Sequence, residues 1–310
     1  MVAPVIETED AADSKGSRRL PYLEVFLHAL RLLVLRIRRK SAVLILLVTV
    51  SLTFVVYVTL IRPYQYTLRL HADLCPDKVR IGSSGDGGWW TCDLATIAAQ
   101  SSTPCVVYSF GLRDNFSFDH DISQKHSCTV HGFDPSSSVD QSAYEKPVPD
   151  VFFHGYGVGK ASGEYGPGEV PFRWPGIDFL RASNTQPWTL RSFPSILKSL
   201  GHAHVHVVKI DIEGGEWDVL PDIAAASWDE LYMEVHFPPW QYQFEDIRGD
   251  FWISRRQPYA RRSVSPPAQN VDGPVDRIQI LRQISKVADL FHWDRNTPEC
   301  FELYFKRRRP

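Results

Sequence analysis

A chain of 310 residues with 44% hydrophobic and 12% aromatic content can bury a full core and fits one or two domains. A net charge of -2 argues against a dedicated nucleic-acid binder, so no nucleic-acid partner is expected. Five cysteines with no CxxC pair and no His/Cys grouping at zinc-finger spacing argue against a structural zinc site, and no metal is expected.

Residues 1–20 mix Glu7, Glu9, Asp10 and Asp13 with Lys15, Arg18 and Arg19, lack apolar periodicity, and read as a disordered tail. Pro21 to Leu35 is mostly apolar and is closed by Arg36, Arg38, Arg39 and Lys40, as in a helix lying at a membrane surface. Ala42 to Ile61 then runs twenty residues without a charge, long enough to cross a hydrocarbon core of about 30 Å. The ten residues before it hold four Lys/Arg and the ten after it two, which leaves the N-terminus in the cytosol. The expected organisation is a cytosolic tail (1–41), a transmembrane signal anchor (42–61), a stem (62–74) and a folded domain (75–310). That is a single-pass type II protein of the Golgi or ER with its domain in the lumen.

In an oxidising lumen Cys75 and Cys92 are candidates for a bridge stapling the glycine-rich loop between them, while Cys105 and Cys128, inside predicted strands, fit plain buried thiols. Asp86-Gly87-Gly88 in that loop reads either as a hairpin turn or as the floor of a ligand pocket. Cys105 to Phe110 is an apolar strand ending on Gly111, and Phe118-Asp119 opens a helix. Cys128 to Phe133 is a second strand, ending on Asp134. Strand, glycine turn, helix, strand and acid is the order of a nucleoside-binding βαβ unit: the glycine lets a ligand approach the backbone and the acid can accept from both ribose hydroxyls. The pattern matches neither a dinucleotide GxGxxG nor a P-loop.

Val151 to Gly159 reads as a short strand running into glycines, and residues 160–187 as an irregular excursion anchored by Trp174 and Trp188. Leu190, Phe193, Ile196, Leu197 and Leu200 form a helical stripe over Thr189 to Leu200, closed by Gly201. The stretch His204 to Ile210 is a buried strand. Asp211 and Glu213 follow where it stops, on one face if the extended geometry persists, and at the crevice where open α/β sheets bind ligands. His202, His204 and His206 alternate along this strand, without the further ligands a metal site needs. Leu231 to Phe237 is another strand ending on an acid and on His236, an acid/base candidate by its position. Residues 255–275 read as an Arg- and Pro-rich insertion, Val275 to Phe291 as a helix, and Cys300 to Phe305 as a last strand.

Four of these stretches occur together in a recognisable order: Asp86-Gly87-Gly88 with Trp90 and Cys92, Val107-Tyr108-Ser109-Phe110-Gly111 with Ser117-Phe118-Asp119, Val130 to Pro135, and Lys209 to Trp217. In this the region Cys75 to Arg308 resembles a methyltransferase-domain family close to the FkbM-type S-adenosylmethionine-dependent methyltransferases. The resemblance implies an α/β fold: a Rossmann-like class I methyltransferase sheet with helices on both faces, here preceded by one N-terminal transmembrane helix. It implies S-adenosylmethionine held by Ser109, Phe110, Gly111, Asp119 and Asp134, with Asp134 on the ribose. It also implies transfer to a hydroxyl or carboxyl oxygen of a small-molecule or glycan acceptor, with Asp211 as first candidate base and Glu213 and His236 behind it. The rival readings are an inactive membrane scaffold of the same fold, and a lumenal glycosyltransferase using Asp211-Ile212-Glu213 as a DxD-like motif.

Overall fold

Runs of β-branched and aromatic residues without polar alternation make strands buried on both faces, and such runs build the central sheet of this protein. The computed structural model describes residues 28–29, 42–57, 65–92, 94, 103–113, 115–136, 150–167, 169, 186–237, 242–255, 276–298 and 300–308. The chain divides into two units, Met1–Thr59 and Leu60–Pro310.

The first unit contains helix α1 (Ala42–Val56), which carries no charged residue. Its hydroxyls turn inward: Thr49 Oγ1 donates to Ile45 O and Thr53 Oγ1 to Thr49 O, both at 2.8 Å. Fifteen residues at about 1.5 Å each give about 22 Å, short of a hydrocarbon core. Among the described residues no helix is long and apolar enough to cross a membrane. The expected span is not shown, and residues 58–61 of it lie outside the described residues. So does most of the expected surface helix at 21–35.

The second unit opens with strands β1 (Gln65–Leu68), β2 (Val79–Ile81) and β3 (Trp89–Thr91), then β4 (Val106–Phe110), helix α2 (Ser117–His126) and β5 (Thr129–Phe133). Next come β6 (Val151–His154), β7 (Gly157–Val158), β8 (Gly163–Tyr165), β9 (Trp188–Arg191), helix α3 (Phe193–Leu200) and β10 (Val205–Ile210). Helix α4 (Glu216–Ala225), β11 (Trp228–His236), β12 (Tyr242–Ile247), β13 (Asp250–Arg255), helix α5 (Arg277–Val287), β14 (Ala288–Thr297) and β15 (Cys300–Arg307) complete it.

Seven strands form one mixed sheet in the order β14-β15-β11-β10-β4-β5-β6. β11, β10, β4, β5 and β6 run parallel, and β15 is antiparallel to both of its neighbours. Successive residues alternate between the two faces. Tyr108, Phe110, Val208 and Ile210 therefore meet Phe193 and Ile196 of α3, Trp217 and Leu220 of α4, and Leu281 and Ile284 of α5 in one core. Val107, Val130 and Val207 meet Phe118 and Ile122 of α2 and Trp89 of β3 in the other. Each of these fully buried side chains contributes about 1.5–3 kcal/mol. Helices cover both faces, as the resemblance implied.

Four expectations change. The only disulfide among the described residues joins Cys105 to Cys128, and Cys75 and Cys92 are free. The two bridged residues precede adjacent parallel strands, whose pairing begins where Thr129 N–H donates to Cys105 O at 2.8 Å. The expected helix 189–200 starts at Phe193, because Trp188 and Leu190 alternate with half-buried neighbours and pair as β9; Pro194 sits in its first turn, and Gly201 caps it at φ +74°. The expected helix to Phe291 stops at Val287, and Ala288 onward pairs with β15. A three-stranded sheet, β1-β13-β12, arises where no strand was expected. Trp174 and the insertion 256–275 lie outside the described residues.

Candidate active site

The parallel part of the sheet reverses its direction of growth between β4 and β10, which opens a crevice at the carboxyl ends of these strands. Phe133, Phe110, Ile210 and Met233 form the last paired row. Asp134, Gly111, Asp211 and Glu234 follow one residue later, side by side. Gly111 has φ +75°, and a Cβ there would lie 1.5 Å from Asp211 O. Glycine is therefore what lets the ends of β4 and β10 close on each other, Asp211 N–H donating to Phe110 O at 3.1 Å.

Asp134 Oδ2 accepts from the N–H groups of Leu112 and Arg113 at 3.0 and 2.8 Å, and Oδ1 from Ser136 N–H at 2.7 Å. A carboxylate offers about four lone-pair sites, so acceptor capacity remains for a ligand hydroxyl. Ser109 and Phe110 stand differently from expectation: both side chains are fully buried, and Phe110 stacks on Phe133 with centroids 4.6 Å apart. They reach the crevice only through the backbone.

Lys209 carries a role that motif matching did not reveal. Its Nζ donates to Phe110 O at 3.2 Å and to Gly111 O at 2.6 Å, and lies 5.2 Å from the centre of a Trp89 ring. A lysine inside a doubly buried strand requires partners, which is the signal the sequence offered. Asp119, in the first turn of α2, is 2% exposed. Burial pushes its carboxyl up to about 6, against the pull of Lys209 and Ser109. Asp119 lies near enough to Lys209 to feel its charge. The loop between β2 and β3 closes over the start of α2: Ser83 N–H donates to Ser117 Oγ at 2.9 Å and Asn115 Nδ2 to Asp86 O at 2.8 Å. Asp86-Gly87-Gly88 forms a turn, closed where Gly88 N–H donates to Gly85 O at 3.2 Å.

Past β10, Glu213 adopts φ +55° and Gly214 φ +100°. Left-handed backbone costs a side-chain-bearing residue about 1–2 kcal/mol. The buried Glu216 holds the loop in this form, its Oε1 accepting from Ile212 N–H at 2.9 Å and Gly214 N–H at 3.0 Å. His236 lies among carboxylates: Nδ1 is 3.4 Å from Glu216 Oε1, and Nε2 is 3.5 Å from Glu213 Oε2 and 3.6 Å from Glu234 Oε1. Burial alone would lower the imidazole pKa, but Glu216, Asp211 and Glu234 outweigh it and raise it to about 10. At neutral pH His236 therefore stays protonated and is not poised to act as a base. Burial, with Glu234 adding to it, drives the Asp211 carboxyl well above its ordinary range, opposed by Lys209 and His236. Asp211 Oδ1 is buried without a hydrogen-bond partner.

Of the histidine trio His202 turns away, while the rings of His204 and His206 stay in contact with centroids 4.8 Å apart. His202 Nδ1 pairs with Tyr108 Oη at 2.8 Å, His206 Nδ1 accepts from Val106 N–H at 3.0 Å, and His204 bonds Ser227 and Asp229.

A family described as "Methyltransferase domain" matches residues 64–271. A human protein named "Probable methyltransferase-like protein 24" is 26% identical over 156 residues, 48% of this chain and 38% of that protein. The chain therefore spans less than two fifths of that relative. Among solved structures, the N-terminal domain of EvdMO1 with SAH bound is 11% identical with a TM-score of 0.38, covering 74% of this chain and 83% of that one. The antibiotic-resistance methyltransferase Kmr is 12% identical with a TM-score of 0.32, covering 74% and 100%. The residues present fit S-adenosylmethionine: Asp134 keeps free acceptor capacity at the tip of β5, beside a β4 turn where glycine brings the backbone to the crevice. The chain belongs to the methyltransferase-domain family, and its cofactor is S-adenosylmethionine.

Proposed function

We propose that this protein is an O-methyltransferase acting on a hydroxyl or carboxyl of a small-molecule or glycan acceptor. The observation that carries the reading is the single row of Asp134, Gly111 and Asp211 across the switch point, with Asp211 Oδ1 buried and unpartnered. When bound, S-adenosylmethionine supplies a methyl group already activated on a sulfonium. What the chain must add is alignment and a proton acceptor. Asp134 binds ribose hydroxyls, Lys209 holds the β4 turn in place, and Asp211 accepts the proton of an acceptor hydroxyl. Glu213, 45% exposed at its side chain, stands at the mouth where the acceptor enters.

The protein is further proposed to be a type II membrane protein of the ER or Golgi with this domain in the lumen. The uncharged run 42–61 with its preceding basic residues supports that reading, as does a disulfide between Cys105 and Cys128, which suits an oxidising compartment.

Calorimetric titration of the full chain with S-adenosylmethionine and S-adenosylhomocysteine, followed by a turnover screen on hydroxylated small molecules and glycans, tests the function. Asp211→Asn should bind both ligands like wild type while losing most turnover on any acceptor found. Binding without turnover on every acceptor tried would favour the inactive scaffold, and wild-type turnover in Asp211→Asn would remove Asp211 as the base.

A further inference from the structure

β11 and β15 run antiparallel with Glu234 opposite Glu302 and His236 opposite Cys300. This pairing gathers an imidazole, a carboxylate and a thiol that the sequence keeps up to 66 residues apart. Cys300 Sγ lies 2.6 Å from Glu234 Oε1 and 3.7 Å from His236 Nε2, and His236 Nε2 lies 3.6 Å from Glu234 Oε1. The three donor atoms fall within 4.8 Å of one another. We propose that Glu234, His236 and Cys300 bind a divalent transition-metal ion of the zinc class, with Glu213 at the exchangeable fourth position.

The geometry fits that ion. Zinc bonds of about 2.0–2.3 Å to nitrogen, oxygen and sulfur in a tetrahedron place neighbouring donors about 3.3–3.7 Å apart. Both distances from His236 Nε2 within the triad fall in or near that range, as does the 3.5 Å to Glu213 Oε2. The shorter thiol–carboxylate contact is a hydrogen bond across one edge, which the ion would open by about 1 Å as it displaces the thiol proton and the proton on His236 Nε2 to solvent. Outer partners are in place as well. Nδ1 of His236 faces the buried Glu216 at 3.4 Å, an arrangement in which a carboxylate orients a ligating imidazole. Asn296 Nδ2 donates to Glu234 Oε2 at 2.8 Å and to Glu302 Oε1 at 3.0 Å, leaving Glu234 Oε1 directed at the site.

A second observation points to a missing cation. Asp211 Oδ1 is buried without a partner beside this cluster. Among the described residues, every ion pair formed by Glu213, Glu216 and Glu234 is with His236. Three protein ligands and one exchangeable position describe a metal that can take an acceptor oxygen and make it easier to deprotonate. This use of the ion rests on the methyltransferase reading; its binding does not.

The test uses the full-length chain, stripped with a chelator and titrated with Co²⁺ and then Zn²⁺ in the absence of S-adenosylmethionine. The expected result is one Co²⁺ per chain with a thiolate-to-cobalt charge-transfer band, displaced by Zn²⁺. Cys300→Ser should abolish the band and weaken Zn²⁺ at least tenfold, Asn296→Ala should weaken it less, and Cys92→Ser should change neither. Circular dichroism confirms that each variant is folded. No charge-transfer band in folded wild type, or its loss in Cys92→Ser rather than Cys300→Ser, would overturn the proposal. So would Zn²⁺ binding indifferent to Cys300→Ser, which would place the ion at His204, His206 and Asp229. Calorimetry with S-adenosylmethionine on the same metal-free sample separates failure of the metal site from failure of the methyltransferase reading.

Discussion

Replacing Asp119 by asparagine tests the burial of its carboxyl near Lys209. The buried Asp119 carboxyl takes up its proton at about 6 rather than at its ordinary 3.8, because burial outweighs the pull of Lys209 and of the neighbouring Ser109. An acid whose folded pKa lies above its unfolded one binds protons better when folded. Its contribution to stability is therefore fully present below about pH 4 and is lost as pH rises through about 6. The gap between 3.8 and about 6, at about 1.36 kcal/mol for each tenfold in proton affinity, amounts to about 3 kcal/mol. Asparagine keeps the shape and cannot ionise, so the stability of Asp119→Asn relative to wild type should rise by about 3 kcal/mol between about pH 4 and about pH 7. Urea denaturation of both proteins across that range measures the difference directly, and effects of other titrating groups cancel in it. A difference that stays flat or falls with pH would refute the assignment of Asp119 as a buried acid facing Lys209.

Gly111→Ala places a Cβ 1.5 Å from Asp211 O at φ +75° and should destabilise by at least about 3 kcal/mol, seen as a lowered denaturation midpoint. Asp134→Ala should weaken S-adenosylhomocysteine about ten- to hundredfold, the worth of a hydrogen bond to a charged group; equal titration curves for the two proteins would remove Asp134 from the ribose. Replacing both Cys105 and Cys128 by serine releases a link between residues 23 apart and should cost about 3 kcal/mol, while reduction of wild type with dithiothreitol should reproduce the loss.

The strands that carry the crevice were legible because they are continuous apolar runs that stop on a glycine or an acid, and Gly111, Asp134 and Asp211 stand at those stops. What the sequence could not show was which neighbours those runs would meet. Ser109 and Phe110 lie in a matched motif, yet strand alternation turns both side chains into the two cores. The cysteine bridge went to Cys105 and Cys128 because the pairing of β4 with β5 brings their first residues together, a tertiary fact that spacing does not encode. β14 reads as the tail of α5, since Leu290 and Phe291 continue its apolar density and only pairing with β15 makes them extended. The grip of Glu216 on the Ile212 and Gly214 amides depends on the folded loop, which no local pattern encodes. The triad of Glu234, His236 and Cys300 lies outside any short-range metal pattern for the same reason.

The covalent link at Cys105 and Cys128 sits at the start of β4 and β5, while Gly111 and Asp134 stand at the far ends of those two strands. The pair behaves like a tuning fork, welded at the base and gripping with its tips. The spacing of the tips is then set before any ligand arrives, and the molecule spends less on aligning them when one does. A bond that touches no ligand thus fixes the base from which both ligand-facing strand ends extend.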